Sequence, residues 1–356
     1  MNLFSSYQLG PISLKNRVVM APLTRNRAIG NIPNEIMATY YQQRAEAGLI
    51  IAEGTSPSPN GLGYARIPGI FNQEQVAGWK QVTDAVHAAG GKIFVQLMHT
   101  GRASASVNLP QGAQVLAPSA ITLSGEIYTD AQGMQPYTKP KEMSEREIQD
   151  AIDEYVKAAE LAIQAGFDGV ELHAANGYLI EQFIGPSSNQ RSDKWGGSIE
   201  NRLRFPVTIA ERVVRAIGPE RVGMRVSPYG VFNDQAPYPE LEETYSELAK
   251  KLSGLKLAYM HIVDHSSMGA PEVTASVKQK IRQYFSGALI LSGNYDAARA
   301  EQDIVAKKAD LISFGRPFIS NPRLVSKLKE GRALHPGDPS TFYTPGPKGY
   351  IDYPLD

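Results

Sequence analysis

Six residues, His173-Ala174-Ala175-Asn176-Gly177-Tyr178, carry the most legible chemistry in the chain. Two neutral hydrogen-bond donors stand three apart, and a phenol follows two residues later. Asn176-Gly177 is a turn signal, so the backbone can curl and aim all three groups at one point. At pH 7 an imidazole of pKa ~6.5 is largely neutral and a phenol of ~10 keeps its proton. Such a trio can polarise a carbonyl or hold an oxyanion while donating a proton. It makes a poor nucleophile pair. Taken alone, the segment is also compatible with a His173 that only satisfies a loop.

Arg225, inside Gly223-Met224-Arg225-Val226-Ser227, is a cation in an apolar run. A charge at a buried strand end needs a partner, either a structural salt bridge or a bound group. Ser292-Gly293-Asn294 and Phe314-Gly315-Arg316-Pro317 suggest one such group. Glycines let backbone N–H groups approach an anion closely, and a guanidinium fork suits phosphate. Gly is common in any turn after a strand, so the joint occurrence of these two loops is what favours phosphate. Thr24, Arg25, Glu53, Gln96, His99, Asp264 and His265 are further polar residues that close apolar runs.

Other chemistries are poorly supported. The 36 Lys and Arg balance 36 Asp and Glu, which argues against a nucleic-acid partner. With no Cys, thiolate metal sites, iron–sulfur clusters and Cys nucleophiles are excluded. His261 and His265 on an extended strand would lie about 13 Å apart, too far for one ion, so no metal is expected. No G-x-G-x-x-G follows a strand and opens a helix, so a Rossmann nicotinamide domain is not expected. Met1-Asn2-Leu3-Phe4-Ser5-Ser6 lacks a signal-peptide pattern, and no apolar run reaches the ~20 residues of a membrane span. The expectation is a cytoplasmic protein without membrane contact.

The elements that must position these groups recur along the chain. Eight short apolar runs are expected strands: Arg17 to Leu23, Leu49 to Glu53, Lys92 to Met98, Asp168 to His173, Val222 to Ser227, Tyr259 to Val263, Ala288 to Ser292 and Leu311 to Gly315. Runs of this kind suit parallel strands buried on both faces. Helical patterns separate them. The clearest, Ser144 to Gly166, opens with a Ser144/Glu147 capping box and stops at glycine. Asn321-Pro322 is expected to start the last helix. Eight alternations predict an α/β fold, a single (β/α)8 TIM barrel over residues 1–356, with an open doubly wound sheet as the competitor. An N-terminal hairpin around Gly10-Pro11 should cap the barrel floor. Thr100 to Met143 is a long excursion after the third strand, with structure of its own. In such barrels the site lies at the C-terminal strand ends, where the polar residues named above fall.

The run His173 to Pro206, HAANGYLIEQFIGPSSNQRSDKWGGSIENRLRFP, closely resembles the signature of the Old Yellow Enzyme family of flavin-dependent ene-reductases. Ala21-Pro22-Leu23-Thr24-Arg25, Gln96-Leu97-Met98-His99-Thr100-Gly101-Arg102, Ser313-Phe314-Gly315-Arg316-Pro317 and the tail from Thr341-Phe342-Tyr343 to Gly349-Tyr350 match as well. The resemblance covers nearly the whole chain. It implies non-covalent FMN across the strand ends, with the phosphate on Gly293, Asn294, Gly315 and Arg316. Pro22, Thr24, Ala52, Gln96 and Arg225 would surround the flavin ring, and Arg225 would face N1 and O2, where reduced flavin carries negative charge.

The same resemblance implies two half-reactions in one pocket. NAD(P)H would give hydride to flavin N5 and leave, and an electron-poor alkene would then take its place. His173 and Asn176 would hold the carbonyl or nitro oxygen of the alkene, and Tyr178 would protonate the α-carbon from the opposite face. Tyr64, Met98 and Tyr343 would line the pocket. Many relatives carry Trp where this chain has Met98, which implies a wider or softer floor. Some relatives use His-His in place of His173 and Asn176. Members include monomers and homodimers. Two other readings stand beside this one: a flavin-free barrel acting on a sugar phosphate, which lacks a clear Schiff-base Lys, and a non-catalytic flavin or steroid binder.

Overall fold

The structure, a computed structural model, describes residues 1–356. β1 (Tyr7–Leu9) and β2 (Ile12–Leu14) pair as the expected antiparallel hairpin. β3 (Val18–Met20), β4 (Leu49–Thr55) and β5 (Ile93–Leu97) follow, with α1 (Glu35–Gln43) and α2 (Gln73–Ala88) between them. The excursion holds β6 (Leu116–Ala117), the hairpin of β7 (Glu126–Thr129) and β8 (Gly133–Pro136), and β9 (Lys141–Glu142) beside β6. Then come α3 (Glu145–Gln164), β10 (Gly169–Ala174), α4 (Leu179–Ile184), α5 (Ile199–Ile217) and β11 (Val222–Val226). α6 (Leu241–Gly254), β12 (Tyr259–Val263), α7 (Ala275–Tyr284), β13 (Ala288–Ser292), α8 (Ala297–Val305), β14 (Leu311–Phe314), α9 (Pro317–Ser320) and α10 (Leu324–Glu330) complete the order.

The eight strands β3, β4, β5, β10, β11, β12, β13 and β14 close in sequence into a barrel, every neighbour parallel. All eight expected runs are strands, and every strand residue is buried. Burial on both faces explains why the runs are apolar throughout rather than alternating. Inside, Val19, Leu49, Ile51, Phe94, Tyr259, Ala288, Ile290 and Leu311 form one cluster with Leu9 and Leu14 of the hairpin. The hairpin thus plugs the N-terminal end. Gly169 makes room there, because a Cβ on it would come 2.5 Å from the Phe94 ring. Outside, strands and helices share a separate core of 70 buried residues.

Local signals explain most helix ends. Ser144 and Glu147 form the complete capping box on α3, and the helix stops before Gly166, whose φ is 90°. The last helix differs from expectation. α10 begins at Leu324, flanked by Arg323 and not capped by Asn321. The Asn321 side chain is spent elsewhere: Nδ2 donates to the Pro317 carbonyl at 2.9 Å and Oδ1 accepts from the His335 N–H at 2.8 Å. Tying down the tail takes precedence over capping.

The tail packs without adding a barrel unit. Arg25 and Arg27 are fully buried and donate to the carbonyls of Phe342, Gly349, Thr341 and Lys348. Tyr350 stacks on Tyr40 at 4.0 Å. These contacts fix Phe342 and Tyr343 at the barrel mouth. No helix is long and apolar enough to cross a membrane.

Candidate active site

A cavity of about 1040 Å³ opens at the C-terminal ends of the strands. Pro22, Thr24, Tyr64, Gln96, Met98, His173, Asn176, Tyr178, Arg225, Gly293, Asn294, Gly315, Arg316 and Tyr343 all line it. Ala52 is the exception among the expected site residues, since it is not on the cavity wall. Strand alternation sends Leu49 and Ile51 into the barrel interior and Ile50 and Ala52 into the outer core.

His173 ends β10 and is buried. Its Nδ1 accepts the Ala175 N–H at 3.3 Å, which leaves Nε2 as the donor. Burial, then the nearby Arg225 guanidinium, holds its pKa well below the usual imidazole value, so the ring is neutral. Asn176 sits in the left-handed region at φ 59° and Gly177 at 72°, which turns the chain back over the strand end. Asn176 Oδ1 is 2.7 Å from His265 Nε2, so its amide nitrogen is the group left to donate. Tyr178 stands edge-on to His173, ring centroids 4.9 Å apart, and donates to the Tyr64 hydroxyl at 3.2 Å. Burial pushes the Tyr178 phenol up to about 12, so it keeps its proton. All three residues line the same cavity.

Arg225 is buried at the end of β11 and makes no salt bridge, and its Nε has no hydrogen-bond partner. One layer deeper lies Glu171, fully buried, accepting from Gln96 Nε2 at 2.8 Å and paired with His261 Nδ1 at 2.9 Å. That bond commits the Gln96 amide nitrogen and leaves its oxygen as a free acceptor. His261 and His265 therefore serve different partners on different layers. On the far wall, Gly293 has φ 143°, and a Cβ there would meet Asp264 at 2.8 Å. A Cβ on Gly315 would meet Leu23 at 3.7 Å and Ala21 at 3.9 Å, ordinary contacts, so packing alone does not require glycine there.

Other strand-end residues are structural. Arg25 and Glu53 belong to the tail and α1 contacts, with Glu53 Oε1 accepting from Tyr41 at 3.1 Å. His99 Nδ1 accepts from the Gly101 N–H. Two supports had no signal in the sequence. Glu181 on α4 accepts from the Gly177 N–H at 2.6 Å, Ser227 Oγ at 2.9 Å and Tyr245 at 3.0 Å. Ser227 Oγ in turn accepts the Asn176 N–H at 2.8 Å. A lone Glu within a helical pattern reads as a surface residue, and only the fold reveals what it meets.

Residues 2–335 match the model of the NADH:flavin oxidoreductase / NADH oxidase family. The chain is 39% identical to 12-oxophytodienoate reductase 7 of Oryza sativa subsp. japonica, over 99% of this chain and 94% of that protein. It is 40% identical to a probable flavin mononucleotide-dependent alkene reductase of Leishmania infantum, over 98% and 95%. Among solved structures, morphinone reductase superposes with a TM-score of 0.96 at 43% identity, covering 99% of this chain and 96% of that one. Its complex with tetrahydroNAD gives 0.94 at the same identity, covering 99% and 97%. The chain belongs to the Old Yellow Enzyme family.

As a member of this family, the protein takes FMN as cofactor, NAD(P)H as reductant and an activated alkene as acceptor. The residues present fit FMN. Arg225 is a buried cation with no direct salt bridge and an unpartnered Nε, its nearest protein charge being Glu171 one layer deeper, so the group facing the cavity is free to meet an anionic reduced flavin. Gly315 and Arg316 line the same cavity, and the Arg316 guanidinium brings a positive charge to its wall that suits a phosphate. At about 1040 Å³ the cavity lies at the upper end of the ~300–1,000 Å³ of ligand pockets, large enough for a cofactor of this size.

Proposed function

We propose that this enzyme reduces the C=C bond of α,β-unsaturated carbonyl and nitro compounds, with roles divided as follows. The chemistry that FMN would supply when bound is the relay of a hydride from NAD(P)H to the alkene. Gly293, Asn294, Gly315 and Arg316 would hold its phosphate, and Pro22, Thr24, Gln96 and Arg225 would surround its ring, with Ala52 contributing backbone at most. His173 Nε2 and Asn176 Nδ2 donate to the substrate oxygen and stabilise the negative charge that grows there. Tyr178 gives its proton to the α-carbon, and Tyr64 beside it fixes the hydroxyl. Met98 and Tyr343 bound the space for the substituents of the alkene.

The observation that carries this reading is the convergence of two neutral donors and a protonated phenol on one cavity wall. Neutral donors suit a developing oxyanion without trapping it as a stable ion pair. Purified protein loaded with FMN is expected to oxidise NADH or NADPH in the presence of 2-cyclohexenone or a nitroalkene and to yield the saturated product. Nicotinamide oxidation by dioxygen alone, with both alkenes recovered unchanged, would refute the reading. A single barrel unit acting in the cytoplasm as a monomer or homodimer completes it. The soluble reductant NAD(P)H supports that compartment, and sedimentation measures the assembly.

A further inference from the structure

We propose that His265 is a positioning residue that locks the Asn176 amide with its nitrogen facing the substrate oxygen. The proposal rests on the oxygen-binding role given to Asn176 above.

An asparagine can present either end of its amide. The oxygen and nitrogen are nearly the same size, so packing alone does not choose between them. The choice matters here, because a carbonyl or nitro oxygen is attracted by the amide N–H and repelled by the amide oxygen. The backbone of Asn176 is fixed on both sides: its N–H donates to Ser227 Oγ at 2.8 Å, and its carbonyl accepts from Asn233 Nδ2 at 2.8 Å. Neither bond reaches the side chain. The remaining contact is His265 Nε2, 2.7 Å from Asn176 Oδ1.

His265 is well placed to impose the choice. It follows β12, and its ring stands edge-on to Phe232 with centroids 4.7 Å apart. Its neighbour Asp264 pins the loop by accepting from the N–H groups of Ser266 at 2.9 Å and Val273 at 3.2 Å and from Lys278 Nζ at 3.3 Å. The imidazole is thus held from two directions. With the proton on Nε2, it donates to Oδ1 and turns the Asn176 N–H groups toward the cavity that both residues line. Burial lowers its pKa to about 4, so the ring stays neutral and adds no fixed charge beside the oxygen site.

If His265 acts through Asn176, its effect must vanish when Asn176 is gone. The test is a double-mutant cycle on FMN-loaded protein, titrated with para-chlorophenol and read by flavin absorbance. Asn176→Ala should weaken phenol binding about tenfold, the value of one neutral hydrogen bond of ~1.4 kcal/mol. His265→Phe, which removes the donor and keeps a ring, should weaken it by a similar factor. His265→Gln, which restores an N–H, should bind within about threefold of the parent. The double variant Asn176→Ala/His265→Phe should be no weaker than Asn176→Ala alone. His265→Leu replaces His265→Phe if the latter fails to retain FMN. Parent-like phenol affinity in the His265 variants, absence of rescue by Gln, or a full additional loss in the double variant would overturn the proposal. Parent-like affinity in Asn176→Ala would instead strike the oxygen-binding role of Asn176 itself, so the two failures are distinguishable.

Discussion

His173 and Arg225 are register partners across β10 and β11, so an imidazole and a guanidinium stand side by side at the barrel mouth. Burial first, and this cation second, keep His173 neutral. Its folded pKa lies below the ordinary ~6.5, so the neutral donor persists as pH falls through that value. Tyr178, at about 12, keeps its proton on the other side. The rate of the alkene half-reaction is therefore expected to be flat from pH ~6 to ~9. Stopped-flow rates across that range check this. A limb near pH ~6.5 that survives Glu181→Gln would mean that His173 titrates in the working enzyme, whereas one that this variant removes would belong to the Glu181 carboxyl, which burial raises to about 7.

Arg225 makes no direct ion pair and leaves its Nε unpartnered, so in the proposed arrangement it faces the reduced flavin. Arg225→Met should weaken FMN binding and lower the midpoint potential of the bound flavin by tens of millivolts, where about 30 mV corresponds to ~1.4 kcal/mol for two electrons. Dye-equilibrated reduction measures the potential. If both potential and affinity match the parent, Arg225 is a structural cation only.

Glu181 gathers three donors below the Asn176-Gly177 turn and has no cation beside it. Glu181→Gln places an N–H against one of those donors. A loss of about 1–3 kcal/mol in urea unfolding is expected, the cost of leaving a buried donor without an acceptor. An unchanged midpoint would show that the turn holds itself.

Met98 packs with Leu62 and Ile67, flanked by Tyr64 and Tyr178. Gly54 is what admits it, since a Cβ there would come 2.6 Å from the Met98 sulfur. Met98→Trp should fill part of the floor and lower kcat/KM for enones with bulky substituents about tenfold, with small enones little changed. A uniform loss across the series would place Met98 away from the substituents.

The barrel was legible because burial on both faces leaves apolar runs that no surface strand would show. The hairpin plug and the capping box of α3 were legible for similar local reasons. His173, Asn176 and Tyr178 could be read because one turn holds all three. The supports of that turn could not. Glu181, Ser227 and His265 reach Asn176 and Gly177 from three separate elements, and nothing near them in sequence marks the meeting. Asn321 was misplaced because a tail contact drew its side chain away from the helix, and alternation turns the Ala52 side chain into the outer core, leaving only its backbone to reach a flavin.

Separating the two half-reactions of Tyr178→Phe by stopped-flow tests the central assignment most directly. Reduction of the flavin by NAD(P)H should stay within a factor of about three, because no proton from Tyr178 is needed there. Reoxidation by 2-cyclohexenone should slow about 10²–10⁴-fold, the usual contribution of a positioned general acid. Equal losses in both steps, or a parent-like rate with the enone, would contradict the assignment of Tyr178 as the proton donor.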